Sequence, residues 1–163
     1  MPVIRKGVTT SLLLGLSVAA SAAGLPLDSL KLEPGFSISV YADDVPNARQ
    51  LAQAPDGTLF VGSREEGKVY VIRDTDNDGR ADHTRVIAEG LTMPTGLALR
   101  DGTLYVAAVS RILAFDDLVD NLDTPPEPRV VYDGFPTASH HGWKYLRFDA
   151  GGDLIVPVGA PCN

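Results

Sequence analysis

A short phrase recurs along this chain. Asp56-Gly57-Thr58-Leu59-Phe60-Val61-Gly62 returns as Asp101-Gly102-Thr103-Leu104-Tyr105-Val106-Ala107. It returns again, more loosely, as Gly151-Gly152-Asp153-Leu154-Ile155-Val156-Pro157-Val158. The leucines of successive copies lie about 45–50 residues apart, within the spacing of propeller repeats. Asp-Gly favours a tight turn, and the apolar run after it reads as a short strand. One turn and strand at this period is the signature of a β-propeller blade, so the expectation is an all-β chain.

The remaining strands follow from alternation of apolar and polar residues. Ala48 to Ala54 is an inner strand, then Thr58 to Ser63, Gly67 to Arg73 and His83 to Glu89 complete the first blade. Thr95 to Leu99, Thr103 to Val109, Arg111 to Asp116 and Arg129 to Tyr132 make the second. Asp117 to Pro128, rich in proline and acids, is a loop between its last two strands, because proline removes a ladder donor. Trp143 to Phe148 and Leu154 to Val158 begin a third blade. Phe36 to Tyr41 also alternates and reads as a strand ahead of the first blade, one that would pair with the last blade of a complete ring. No segment after the first 23 residues keeps a 3.6-residue apolar period. The reading is about two and a half four-stranded blades, by the repeat argument. Propellers close with about four to eight blades. The third copy stops at Asn163, and open blade edges invite aggregation. The chain therefore reads as the N-terminal part of a larger ring, inactive and aggregation-prone by itself.

The first 23 residues have another character. Arg5 and Lys6 precede an uncharged stretch, Ser11 to Ala20, and Ala20-Ser21-Ala22 or Ser21-Ala22-Ala23 fits small-residue cleavage. The stretch is short for a membrane span, which needs about 20 apolar residues. Residues 1–23 are expected to be an export signal, with an uncleaved anchor as the other reading. Residues 24–163 are then the propeller part, periplasmic or secreted, with no membrane span after cleavage. The chain carries 21 acids against 14 Lys and Arg, a net charge of −7. Losing Arg5 and Lys6 makes it more acidic still. Nucleic acid is therefore not an expected partner, since its phosphates require a basic face. The single cysteine, Cys162, is odd for an exported chain and points to a partner outside this sequence or a free thiol.

Reactive side chains concentrate in His140-His141-Gly142-Trp143-Lys144, at the entry to the third blade's inner strand. Imidazole suits proton transfer near neutral pH. The residues equally allow a polar turn with Trp143 packed between blades. Arg64, at a strand end in Arg64-Glu65-Glu66-Gly67-Lys68, can point into the channel and hold a carboxylate, or stand as a solvated loop residue. Asp74, Asp76, Asp78 and Asp82 occupy positions 1, 3, 5 and 9 of a loop with Gly79 at position 6. That is the opening of a calcium loop, but Arg85 stands where a bidentate Glu would close it. The loop is either a weak Ca²⁺ site or a hairpin turn that needs no metal. There is no G-x-S-x-G, H-E-x-x-H, Walker loop or dinucleotide fingerprint.

Several phrases together resemble the glucose/sorbosone dehydrogenase family. They are Leu32-Glu33-Pro34-Gly35-Phe36, Arg64 to Val69, Gly90 to Ala98, His140 to Lys144 and Val156 to Asn163. The resemblance covers roughly residues 27 to 163 and is nearest to the sorbosone-dehydrogenase-like branch, in the Ala160-Pro161-Cys162 ending. It implies a six-bladed propeller that binds pyrroloquinoline quinone with Ca²⁺ and oxidises sugars or aldose-derived alcohols and aldehydes. It implies that His141 is the base that takes the substrate proton. It also implies that the quinone-binding arginines and the cofactor calcium lie in later blades, so the Asp74 to Asp82 loop is a different site. Arg64, His140, Trp143 and Lys144 would form the substrate and cofactor rim. A downstream acceptor such as a c-type cytochrome would take the electrons, and a later cysteine would pair with Cys162. Where characterised sugar dehydrogenases carry Gly-Asp after this strand, the chain has Gly159-Ala160, so no carboxylate there orients the histidine. A binding propeller without cofactor is the rival reading. A lactonase-type metal hydrolase is weaker, because the inner strands offer few carboxylates.

Overall fold

The computed structural model describes residues 25–160. The expected export signal and Cys162 lie outside the described residues. The chain divides into two units, one ending at Ile38 and one beginning at Ser39. In the described part of the first, a single 3₁₀ turn spans Leu27–Ser29, where the Ser29 hydroxyl donates to the Pro26 carbonyl at 2.7 Å.

The second unit is built of antiparallel sheets. β1 (Ala48–Gln53), β2 (Leu59–Ser63), β3 (Val69–Arg73) and β4 (His83–Ala88) form a four-stranded meander in sequence order. β5 (Gly96–Arg100), β6 (Thr103–Ala107), β7 (Ile112–Phe115) and β8 (Arg129–Tyr132) form a second. β9 (Arg147–Phe148) and β10 (Leu154–Ile155) pair as the start of a third. These are two propeller blades and the opening of another.

The repeated phrase is the hinge between the first two strands of each blade. The Asp56 carboxylate accepts from the backbone N–H and the hydroxyl of Thr58, both at 3.0 Å. Gly57 and Gly102 turn the chain at φ 91° and 78°, a region costly for side chains bearing a Cβ.

Alternation then sorts the side chains. Phe60, Val69 and Val71 face Leu97, Leu104, Val106, Leu113 and Phe115 of the second blade. Val61, Tyr70 and Ile72 take the opposite face, against Tyr41, Ala42 and Val45. Ala98, Ala107 and Ile112 meet Leu146, Phe148 and Leu154 of the third sheet. Strands buried on both faces read as continuous apolar runs, as Val69 to Ile72 and Ile112 to Phe115 do. Each fully buried Phe or Leu in these layers contributes about 1.5–3 kcal/mol over its exposed state. The outer strand β8 is exposed along its length.

One polar side chain joins the layers at their inner edge. The Gln50 amide donates to the Leu97 and Leu146 carbonyls at 3.1 and 3.4 Å and accepts from the Leu97 N–H at 3.1 Å. Gln50 thus pairs with β5 much as a neighbouring backbone would, and reaches the entry to β9 as well.

Phe36 to Tyr41 differs from expectation and forms no strand; Phe36 is 74% exposed. Alternation suits a strand only where a neighbour supplies ladder bonds, and these residues have no ladder partner among the described residues. The third sheet is also shorter than expected, with pairing confined to β9 and β10. The Asp117 to Pro128 excursion contains one 3₁₀ turn, Val119–Asn121, and is otherwise a loop.

Candidate active site

An antiparallel meander returns the β2–β3 loop to the end where the chain enters each following inner strand. Arg64, just past β2, and the segment between β8 and β9 are thereby neighbours. The Arg64 guanidinium lies 5.1 Å from the centre of the Trp143 ring. Trp143 meets His141 edge-on at 5.8 Å, and His141 stacks on His140 at 4.0 Å. Four of the residues singled out from the sequence therefore form one continuous cluster contributed by two loops. A cation over an indole face at such a site is worth about 0.5–1 kcal/mol, enough to orient both groups.

His141 sits in a tight turn. The Gly142 N–H donates to the Ser139 carbonyl at 3.0 Å, with His140 and His141 between them. His141 has φ 55°, in the left-handed region, which costs an L-residue about 1–2 kcal/mol. Such backbone persists only where the surroundings enforce it. Gly159 passes so close that a Cβ there would collide with the His141 carbonyl.

Lys144 differs from the rest of the expected rim in its burial. Its side chain is 2% exposed and lines the hollow beside His140 and His141 from within. The ammonium donates to the Val109 and Gly142 carbonyls at 2.6 and 3.0 Å and lies 4.8 Å above the Phe135 ring. Burial pulls its pKa below the ordinary lysine value. Its backbone N–H and carbonyl are both held by the Thr95 hydroxyl, at 3.1 and 3.0 Å. An amphipathic side chain beside an aromatic cluster reads as a rim residue in sequence, yet its long stem lets it fold inward.

The acidic loop lies elsewhere. Asp74, Asp76 and Asp78 each place a carboxylate oxygen within 4.8 Å of the others. Asp82 stands apart from that group. It accepts from the backbone and hydroxyl of Thr75, whose hydroxyl holds its carboxyl below the usual value. The other three also serve the turn: Asp74 accepts from the Gly79 N–H at 2.9 Å and Asp78 from the Arg80 N–H at 2.8 Å.

The hollow beside His140, His141 and Gly159 is shallow, about 10 Å³. A larger cleft of about 390 Å³ is lined by Arg73, His83, Arg85, Leu122 and Asp123. There Arg85 already donates to the Leu122 and Asp123 backbone carbonyls at 3.1 and 3.0 Å.

Sheets of this order and pairing, with the aromatic and cationic cluster at the inner-strand entry, make the chain part of a β-propeller. The chain belongs to the family described as a domain of unknown function, DUF7133, which matches residues 25–156. No curated protein matches it. Among solved structures it is similar to a Trichoderma reesei enzyme of carbohydrate-active enzyme family AA12. The iodide form matches with TM-score 0.63 and 20% identity, covering 76% of this chain and 33% of that one. The calcium form matches with TM-score 0.60 and 20% identity, covering 71% and 30%. The holo form of the PQQ domain of pyranose dehydrogenase from Coprinopsis cinerea matches with TM-score 0.62 and 14% identity, covering 75% and 30%. At such identities the likeness establishes the fold. The chain spans about a third of the length of the structures it matches. Among the described residues, no helix is long and apolar enough to cross a membrane.

Proposed function

We propose that this chain supplies part of the propeller of an exported quinoprotein oxidoreductase. Its substrates would be sugars or aldose-derived alcohols and aldehydes, in the manner of the sorbosone-dehydrogenase-like branch. One observation carries the reading: Arg64, Trp143, His141 and His140 converge at the inner-strand end of the blades. The likeness to carbohydrate-active and PQQ-domain structures supports it.

Pyrroloquinoline quinone is a planar tricarboxylate. Trp143 and the Arg64 guanidinium offer it a flat face and a positive charge. Lys144 adds less, because two of its ammonium donors are already taken by carbonyls. The residues here therefore fit one edge of the cofactor, and further cations are needed to hold the rest. When bound, the quinone supplies two-electron oxidising capacity. His141 would accept the proton of the substrate hydroxyl on an imidazole nitrogen, and Arg64 would orient a carboxylate.

The shallow hollow favours a second reading, a propeller that binds a ligand at this rim and does no chemistry. Trp143 is the single tryptophan and separates the two. In the protein with its remaining blades, titration with pyrroloquinoline quinone and Ca²⁺ should perturb the Trp143 emission, a change that Trp143→Phe removes. In that protein, sugar oxidation with an artificial acceptor should fall about 10²–10⁴-fold in His141→Ala, the usual cost of losing a positioned base, with quinone binding kept. His140→Ala should cost much less. Unchanged Trp143 emission and no retained quinone in the protein with its remaining blades would overturn the oxidoreductase reading in favour of the binding propeller.

A further inference from the structure

The turn that carries His141 is held by two segments outside it. From the Lys144 side, a buried ammonium donates to the Gly142 carbonyl, one residue after His141, and to the Val109 carbonyl of the second blade. From the other side, Gly159 passes beneath the His141 carbonyl with no room for a side chain. Thr95, at the entry to β5, fixes the Lys144 backbone through both its N–H and its carbonyl. The turn between them is in the left-handed region at His141, which relaxes unless it is enforced.

We infer that Lys144 and Gly159 are positioning residues that brace the His141 turn, aiming its imidazole across Trp143. The inference rests on the reading of His141 as the base, but its geometry is testable apart from turnover. Gly159-Ala160 stands where a carboxylate orients the histidine in the resembling sugar dehydrogenases. In this chain the orientation comes through the backbone instead: a cation on one carbonyl and close packing on another. A lysine suits the task because its stem crosses apolar space beside Phe135 and delivers several donors at its end.

The measurement is the carbon–proton correlation spectrum of the three histidines, His83, His140 and His141. Stacking on His140 and edge contact with Trp143 give the His141 ring protons a shift of their own. Lys144→Met and Gly159→Ala should each move the His141 resonances toward free imidazole while leaving His83 unchanged. Val69→Ala, a core truncation in the first blade, controls for general destabilisation and should leave His141 in place. In protein that oxidises sugar, both variants should lower kcat about 10²-fold with KM little altered, the size expected for misplacing a reacting group. If Lys144→Met does not fold, Gly159→Ala carries the test, since Gly159 lies outside every strand. His141 resonances unmoved in the folded variants would overturn the brace. Moved resonances, with neither turnover nor quinone binding once the remaining blades are present, would uphold the brace and remove the oxidoreductase reading.

Discussion

Asp74, Asp76 and Asp78 show how one residue can serve two ends. Each accepts a backbone N–H within its own turn, and together they place oxygens close enough for one cation. Three clustered carboxylates without a bidentate glutamate predict at best weak calcium affinity, on the order of 10⁻⁴–10⁻³ M. Calorimetric titration should therefore show a small heat that Asp76→Ala abolishes, and equal heats from the two proteins would reduce the loop to a turn. Asp74→Ala should do more, since it also frees the Gly79 N–H and loosens the hairpin. The carboxylate spacing made the cluster legible in the sequence; the separation of Asp82 was not, because it depends on the Thr75 hydroxyl. Lys144 misleads for a related reason. Charge marks a residue for the surface, and only the Val109 and Gly142 carbonyls reveal that this one is satisfied inside. Arg64 and Trp143 could each be assigned to loops, but their contact needed the return of the meander.

Among the elements, the blade strands were legible because the Asp-Gly turns and apolar alternation agree on the same boundaries. Phe36 to Tyr41 carries the same alternation and is no strand, since periodicity describes a face and not a partner. β8 is the most exposed strand of the second blade, with Val130, Val131 and Tyr132 all open to solvent. A fork holds its start: Arg129 Nε and Nη2 donate to the Asp116 carboxylate at 2.6 and 3.1 Å. The fork closes the Asp117 to Pro128 loop at its base. Arg129 keeps the Asp116 carboxyl below its ordinary value of 3.8. The folded form thus binds the proton less readily than the unfolded chain. The fork's support is complete above the ordinary value and is lost as pH falls through the lower folded one. Asp116→Asn should speed amide exchange across Val130 to Tyr132 a few-fold, while leaving overall stability little changed, as for exposed pairs. The difference between the two proteins should vanish in strong acid. Equal exchange at neutral pH would show that β8 is held by its ladder alone.

Across the larger unit, apolar layers between successive blades supply most of the stability, and Gln50 supplies a polar link. Nothing in the sequence singles it out, since a glutamine on an alternating strand reads as solvent-facing. Gln50→Ala would leave the Leu97 N–H and two carbonyls without this partner. Such losses cost about 1–3 kcal/mol when the group stays out of water. Thermal unfolding should fall by several degrees, and the exchange of Leu97 should accelerate more than that of Val106 on the next strand. A melting point equal to wild type would mean that water replaces the amide without loss. The same residue also has a metric consequence. Backbone pairing sets strand spacing within a blade, but the step from β1 to β5 and onward to Leu146 is spanned by a side chain of fixed reach. Gln50 acts as a ruler: asparagine, one methylene shorter, keeps the chemistry and misses the distance. Any blade grafted beside β1 must bring its own inner strand to where that ruler ends.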